Sequence, residues 1–249
     1  MHWCLYMVTC INEHFKIPVA YYFIHALSGA ERANLLKQCL LVLHEANDIV
    51  SVTVDGAASN ISMLNNMGAN LSTDNLVPYF YHPISKHCIF ILLDACHMLK
   101  LIRNAFASKK MLWDKNGELI NWAFIVALVQ LQETEELHAG TKIRRRHLNW
   151  QKEKMKVSLA AQVLSTSVAN ALKFCAEDLS LSTFAGCGDT ANFCIRINNM
   201  FDLLNSRNRF CKNKFAQYLT RKNYDDICKQ VDNYCNYLKG LKDGQLPDT

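Results

Sequence analysis

The sequence predicts a mixed α/β segment followed by a mostly helical one, and three observations carry the prediction. Strand-like and helix-like runs alternate up to about residue 105. One apolar run, Cys88–Leu93, ends on Asp94 and passes at once into helical spacing. After residue 105 no convincing strand pattern appears, while apolar residues recur at helical intervals. The reading therefore divides the chain into domains at 1–105 and 106–249, with the boundary somewhere in 105–130.

The elements follow in order. Residues 4–11 and 18–27 are rich in β-branched and aromatic residues, and the polar stretch 12–16 between them predicts an antiparallel hairpin. Ser28 precedes Glu31 at capping-box spacing, and Leu35, Leu36, Cys39, Leu40 and Leu43 continue a helix to about His44. Ile49–Val54 is a further strand ending in Asp55-Gly56, with a helix after it around Ile61–Leu64. Pro78 and Pro83 break the connection to the Cys88 strand, whose unbroken apolar character predicts cover on both faces. Met98, Leu99 and Ile102, interleaved with Lys100, Arg103 and Asn104, then open a helix.

In the second part, Trp113–Glu118 is turn-like and Leu119–Leu131 predicts a helix. Val157–Ala176 predicts one long helix of small and aliphatic residues. Gly186–Thr190 turns into another over Asn192–Asn205, and residues 215–242 form a final amphipathic helix or pair, ended by Gly240, Gly244 and Pro247.

Half of the 249 residues are hydrophobic, which excludes a disordered chain. No apolar run approaches the roughly 20 residues of a membrane span. The eleven cysteines form no C-x-x-C pair, and Met1–Cys4 does not read as a secretory leader, so they read as reduced intracellular thiols rather than zinc ligands. Charge is +5, a mild excess that permits nucleic-acid contact without requiring it. Its densest run, Lys142–Lys152, suits either a solvated face or phosphate contacts.

Asp94 is the first candidate for chemistry, because ligands gather at strand ends in such sheets. An acid ahead of a helix also serves as an N-cap, and the two roles are compatible. Asp55 reads as structural, since Asp-Gly is a common turn pair. Gly186–Thr190 lacks the Lys-Ser/Thr of a phosphate loop. Asp202 and Asn205, one helical turn apart, could meet a purine edge or simply belong to an Asn-rich helix end.

Five blocks, in order, carry a family resemblance: Lys16–Tyr22, Val54–Asn60, Asp94–Asn104, Lys154–Gln162 and Phe201–Arg207. Over about residues 5–210 the chain resembles the P-element transposase family, which includes THAP-domain-containing transposase-like proteins. The resemblance implies a partial RNase H-like mixed sheet with a helical insertion domain that binds GTP. It implies that Asp94 is the second of three acids holding two divalent ions, Mg²⁺ by the hardness of carboxylate oxygens, for DNA cleavage and strand transfer. It places Lys142 at the nucleotide phosphates, Val157 and Ser165 near the nucleotide, and Asp202 with Asn205 at the guanine. The implied partners are DNA at transposon ends, GTP and, less directly, a second copy of the chain; the implied compartment is the nucleus.

Departures from the family pattern qualify the activity. The family's first catalytic acid would fall upstream of Met1, and the Gly-Phe-x-Gly-Phe-like segment that holds the third is absent, as are the zinc-coordinating THAP module and its coiled coil. The chain is therefore expected to be a catalytically incomplete internal fragment, a truncated product or a relic. The alternative is a domesticated, non-catalytic module that binds DNA, nucleotide or protein. An unrelated α/β nucleotide-binding enzyme lacks a phosphate loop to support it.

Overall fold

A computed structural model describes residues 2–11, 13, 15–45, 49–135, 140–206, 211 and 213–244. Asn12 and His14 of the first connection, Arg207 of the last block and Pro247 lie outside the described residues. The chain forms two compact units, Met1–Asp94 and Ala95–Thr249, a division that falls ahead of the helix with which the sequence reading closes its first domain.

In the first unit, β1 (His2–Thr9) and β2 (Lys16–Ile24) make the expected antiparallel hairpin. Its register shifts between Tyr6 and Met7, opposite Pro18, whose nitrogen has no hydrogen to give the ladder. Helix α1 (Gly29–His44) starts with the predicted capping box: Ser28 Oγ accepts from the Glu31 amide, and Glu31 accepts from the Ser28 amide at 2.7 Å. The Ser28 hydroxyl, at 2.7 Å, and the Ser28 amide both donate to the Glu31 carboxyl and hold it below its ordinary range. Strand β3 (Ser51–Val54) leads to α2 (Ala58–Asn66), which crosses α1 so closely that a Cβ on Gly29 would collide with Ser62.

Strands β4 (Tyr79–Tyr81) and β5 (Cys88–Leu93) complete a three-stranded sheet of order β3-β5-β4, parallel between β3 and β5 and antiparallel between β4 and β5. Strand β4 was not foreseen, because three residues bracketed by prolines show no periodicity. The core of this unit joins Leu36 and Leu40 of α1, Leu64 of α2, Phe80, Ile89 and Ile91. The expectation that β5 is covered on both faces is corrected: Ile89 is 0% exposed, but Phe90 and Leu92 on the other face are 54% and 53% exposed. An unbroken apolar run recorded the residue type without recording which face the unit's two helices cover.

The second unit opens with α3 (Ala95–Lys109), whose Leu99, Phe106 and Ala107 enter its core. Strands β6 (Met111–Trp113), β7 (Leu119–Asn121) and β8 (Lys242–Asp243) form a small antiparallel sheet, correcting the expectation of no strands after residue 105. Each is only two or three residues long, and β6 pairs with a strand far along the chain, so no local pattern announces them. Helix α4 accordingly starts later than predicted and runs on past Leu131, over Ala123–Thr134. A short α5 (Arg145–Leu148) follows.

The single helix expected over 157–176 is two, α6 (Val157–Val163) and α7 (Thr166–Glu177). Ser165 makes the break, because its hydroxyl donates to the Gln162 carbonyl at 2.9 Å and accepts from the Val168 amide at 3.3 Å. Helix α8 (Gly188–Leu204) runs through the core, where Phe193 meets Phe106 edge-on at 5.1 Å. Helix α9 (Tyr224–Lys239) is the last among the described residues. Burial pushes the Cys175 and Cys187 thiols up and the Cys194 thiol up to about 12, and all eleven cysteines are free thiols. No helix among the described residues is long and apolar enough to cross a membrane.

Candidate functional site

Two places hold the residues singled out from sequence, one in each unit. In the first unit the parallel pair β3–β5 ends together, with Val54 opposite Leu93. Asp55 and Asp94 are the next residues on each strand, and the Asp94 amide donates to the Val54 carbonyl at 2.8 Å. Asp94 thus stands, half-buried, at the carboxyl end of a parallel strand, where open α/β sheets bind ligands. Asp55 is spent locally: its Oδ1 accepts from the Ala57 amide at 3.0 Å and from Asn60 Nδ2 at 2.7 Å, holding the turn into α2.

Two-metal chemistry needs a cluster of carboxylates. Among the described residues no three His, Cys, Asp or Glu side chains gather into a group that could hold a metal ion. Asp94 can offer one carboxylate, and the described residues do not by themselves compose a two-ion centre.

In the second unit four of the five nucleotide candidates sit at helix ends, and Lys142 lies in the connection between α4 and α5. Lys142 is exposed between buried Thr141 and buried Ile143; Thr141 Oγ1 donates to Gln132 Oε1 at 2.7 Å and so fixes the segment. Val157 is the first residue of α6 and Ser165 is the N-cap of α7. Asp202 lies in the last turn of α8 and Asn205 is its C-cap. The Asp202 carboxylate accepts from Asn198 Nδ2 at 3.0 Å and Asn213 Nδ2 at 2.8 Å, and both bonds fall on Oδ2. Sequence reading placed Asn198 on the polar face of this helix but missed Asn213, which reaches Asp202 from a loop that carries no periodic signal.

A second residue that sequence reading left without a role is Arg103. Fully buried on α3, it donates from Nε to Asn104 Oδ1 at 2.8 Å and from NH2 to the Glu153 carbonyl at 3.0 Å. Burial lowers its pKa and the nearby Glu153 carboxylate partly offsets this. Glu153 itself is held below the ordinary carboxylate range by hydrogen bonds and charge from Lys156, at 2.9 Å, and from Arg146, at 3.0 Å.

A cavity of about 350 Å³ in the same unit is lined by Asp114, Glu118, Asp189, Asn192, Arg196 and Tyr237 among others, and includes none of the five nucleotide candidates. The Arg196 guanidinium lies 4.5 Å from the centre of the Tyr237 ring at this cavity.

Comparison with known proteins finds a family match in each unit. Residues 1–68 match the family "TNP-like, RNase H N-terminal domain" and residues 96–217 match "TNP-like, GTP-binding insertion domain". Human DNA transposase THAP9 is 35% identical over 210 residues, covering 84% of this chain and 23% of that protein. The Drosophila melanogaster transposable element P transposase is 26% identical over 209 residues, covering 82% of this chain and 26% of that protein. The chain spans about a quarter of the length of these curated relatives. A solved chain of the Drosophila P element transposase strand transfer complex shares the fold, with a TM-score of 0.80 at 24% identity over 97% of this chain and 53% of that one. Two domain matches in the order of the two units, with relatives aligned across most of the chain, lead to one conclusion: it belongs to the P-element transposase family, as a transposase-like protein with a GTP-binding insertion domain.

Proposed function

We propose that this chain binds GTP in its helical unit and contributes one acid, Asp94, to a DNA-cleaving and strand-transferring active site that it does not complete alone. The observation that carries the nucleotide half is Asp202. Its carboxylate is oriented by two amides that both bind Oδ2, on the last turn of a core helix. Guanine presents adjacent N1–H and N2–H donors that a carboxylate accepts as a pair, whereas adenine presents an acceptor at N1. Asn205, one turn on, suits the O6 edge through its amide. Phosphates suit Lys142 and the N-terminal end of α7, where Ser165 caps and the helix dipole favours negative charge.

The metal half rests on Asp94 at its strand end. Divalent ions, where present, would supply Lewis-acid activation of the attacking and leaving oxygens; Asp94 would hold one of them, and further acids must come from outside the described residues. The substrate of the relatives, DNA, makes the nucleus the expected compartment.

Titration calorimetry of GTP against ATP tests the reading. GTP should bind at least roughly tenfold more tightly, the value of one well-placed hydrogen bond, and Asp202→Ala should remove the preference. Equal, weak binding of both nucleotides would sink the guanine site. With Mg²⁺ the isolated chain should not nick transposon-end DNA, and robust nicking would show that its acids are complete.

A further inference from the structure

We infer that the α5–α6 segment of the helical unit is a surface for the phosphate backbone of nucleic acid. Between Lys142 and Lys156 the chain carries seven Lys or Arg against one acid, Glu153, a net of +6. The whole chain carries 27 against 22, so everything outside these fifteen residues has 20 against 21, a net of −1. The entire basic excess of the protein is therefore confined to one short segment. A solvated face of the ordinary kind balances its signs; this one sets seven cations against the single Glu153.

The structure adds that the segment is held in one shape with its cations outward. Ile143 and His147 are buried beneath it. The His147 ring accepts from the Arg144 amide at 2.9 Å through Nδ1, so its Nε2–H donates to Gln162 Oε1 at 2.8 Å, tying α5 to α6. From below, the buried Arg103 donates to the Glu153 carbonyl at 3.0 Å. Above this platform Arg144, Arg145, Lys152 and Lys154 are exposed, and the Lys154 ammonium lies 5.6 Å from the centre of the half-buried Trp150 ring.

Only Arg146 and Lys156 are engaged with the segment's one acid. Fixed cations of one sign lose less entropy on meeting a regular array of phosphates than mobile ones do, and they release counterions as they bind. A duplex or single strand fits this array better than a compact triphosphate, which has room for fewer of these charges. The inference rests on the DNA side of the proposed function and is independent of its guanine side.

The test is salt-dependent binding of the full chain to a fluorescein-labelled duplex of random sequence, followed by anisotropy between about 50 and 200 mM salt. Neutralising Arg144, Arg145, Lys152 and Lys154 together to Ala should make the slope of log K against log salt shallower by about 3 to 4, close to one per phosphate contact. A control with the same charge loss elsewhere, Lys110, Lys222, Lys229 and Lys239 to Ala, should change it by less than about 1. Glu153→Gln, which releases Arg146 and Lys156, should steepen it.

Equal slope changes in the two quadruple variants would reduce the effect to net charge and overturn the proposal. So would binding to phosphatidylserine vesicles that the first variant loses, with no binding to the duplex. GTP titration of the wild-type chain separates the two readings. Absence of GTP binding with a segment-specific slope contradicts only the nucleotide site, and GTP binding without that slope contradicts only this surface.

Discussion

The Asp94 amide donates to the Val54 carbonyl at 2.8 Å, closing the ladder between two parallel strands at the point where each delivers an acid. The two acids are register neighbours with different work. Asp55 has its carboxylate bound to Ala57 and Asn60, whereas the bond that fixes Asp94 in the ladder is a backbone one. Asp55→Ala should therefore cost about 1–2 kcal/mol, the value of two modest hydrogen bonds. Asp55→Asn, which keeps an oxygen able to accept from Ala57 and Asn60, should cost less. Urea unfolding of the two variants beside the wild type measures the difference, and an unchanged stability in Asp55→Ala would show that these bonds do not hold the turn.

Ser165 divides the helix that the sequence pattern predicts as one. Its hydroxyl satisfies the Val168 amide, one of the free donors at the start of α7. Ser165→Ala should lower stability by about 1 kcal/mol, while Ser165→Asp should recover most of it. The same pair, titrated with GTP, reports whether the position also touches nucleotide: an added negative charge beside phosphates should weaken binding even though it restores the cap.

Glu153 gives the helical unit an acid-sensitive contact. Its carboxyl is lowered from 4.5 in the fold by Lys156 and Arg146. A depressed carboxylate contributes stability that is present above its unfolded pKa and is lost as pH falls through the folded value. The wild-type melting temperature should thus fall more steeply below about pH 4.5 than that of Glu153→Gln, which cannot titrate. Parallel pH profiles would show that the pairs contribute nothing, as exposed ion pairs often do.

The thiols divide by depth. Cys194 is fully buried with its thiol pushed up to about 12, and Cys175 and Cys187 are raised by the same desolvation. Cys235 on α9 is exposed. A disulfide reagent at neutral pH should label Cys235 in the native protein and leave Cys175, Cys187 and Cys194 untouched until unfolding, because the thiolate is the attacking species. Mass spectrometry of the labelled peptides reads the outcome directly.

Much of the architecture was legible where a segment decides its own structure. The Ser28–Glu31 capping box, the hairpin of β1 and β2 and the strand that ends on Asp94 all follow from neighbouring residues. Most of what escaped depends on residues distant in sequence. Strand β8 exists because residues 242–243 meet β6, and the face of Phe90 and Leu92 is bare because the helices of that unit lie on the other side; β4, close to its partner β5 in the chain, escaped because three residues carry no period.

The candidate sites show the same division. Residue identities came from ordered blocks of similarity, but the Asn213 amide on Asp202 and the Arg103 bond to the Glu153 carbonyl are tertiary contacts, made across 11 and 50 residues of chain. No spacing rule anticipates them.

The central claim is that Asp202 reads the guanine edge, and changing the base and the side chain together tests it most directly. Xanthine carries a carbonyl where guanine carries its 2-amino group, so an amide at position 202 would complement xanthine as the carboxylate complements guanine. Titration calorimetry of GTP and xanthosine triphosphate against the wild type and Asp202→Asn should show the preference inverted in the variant, by roughly tenfold or more for one exchanged hydrogen bond. A variant that still prefers GTP as strongly as the wild type would contradict the account.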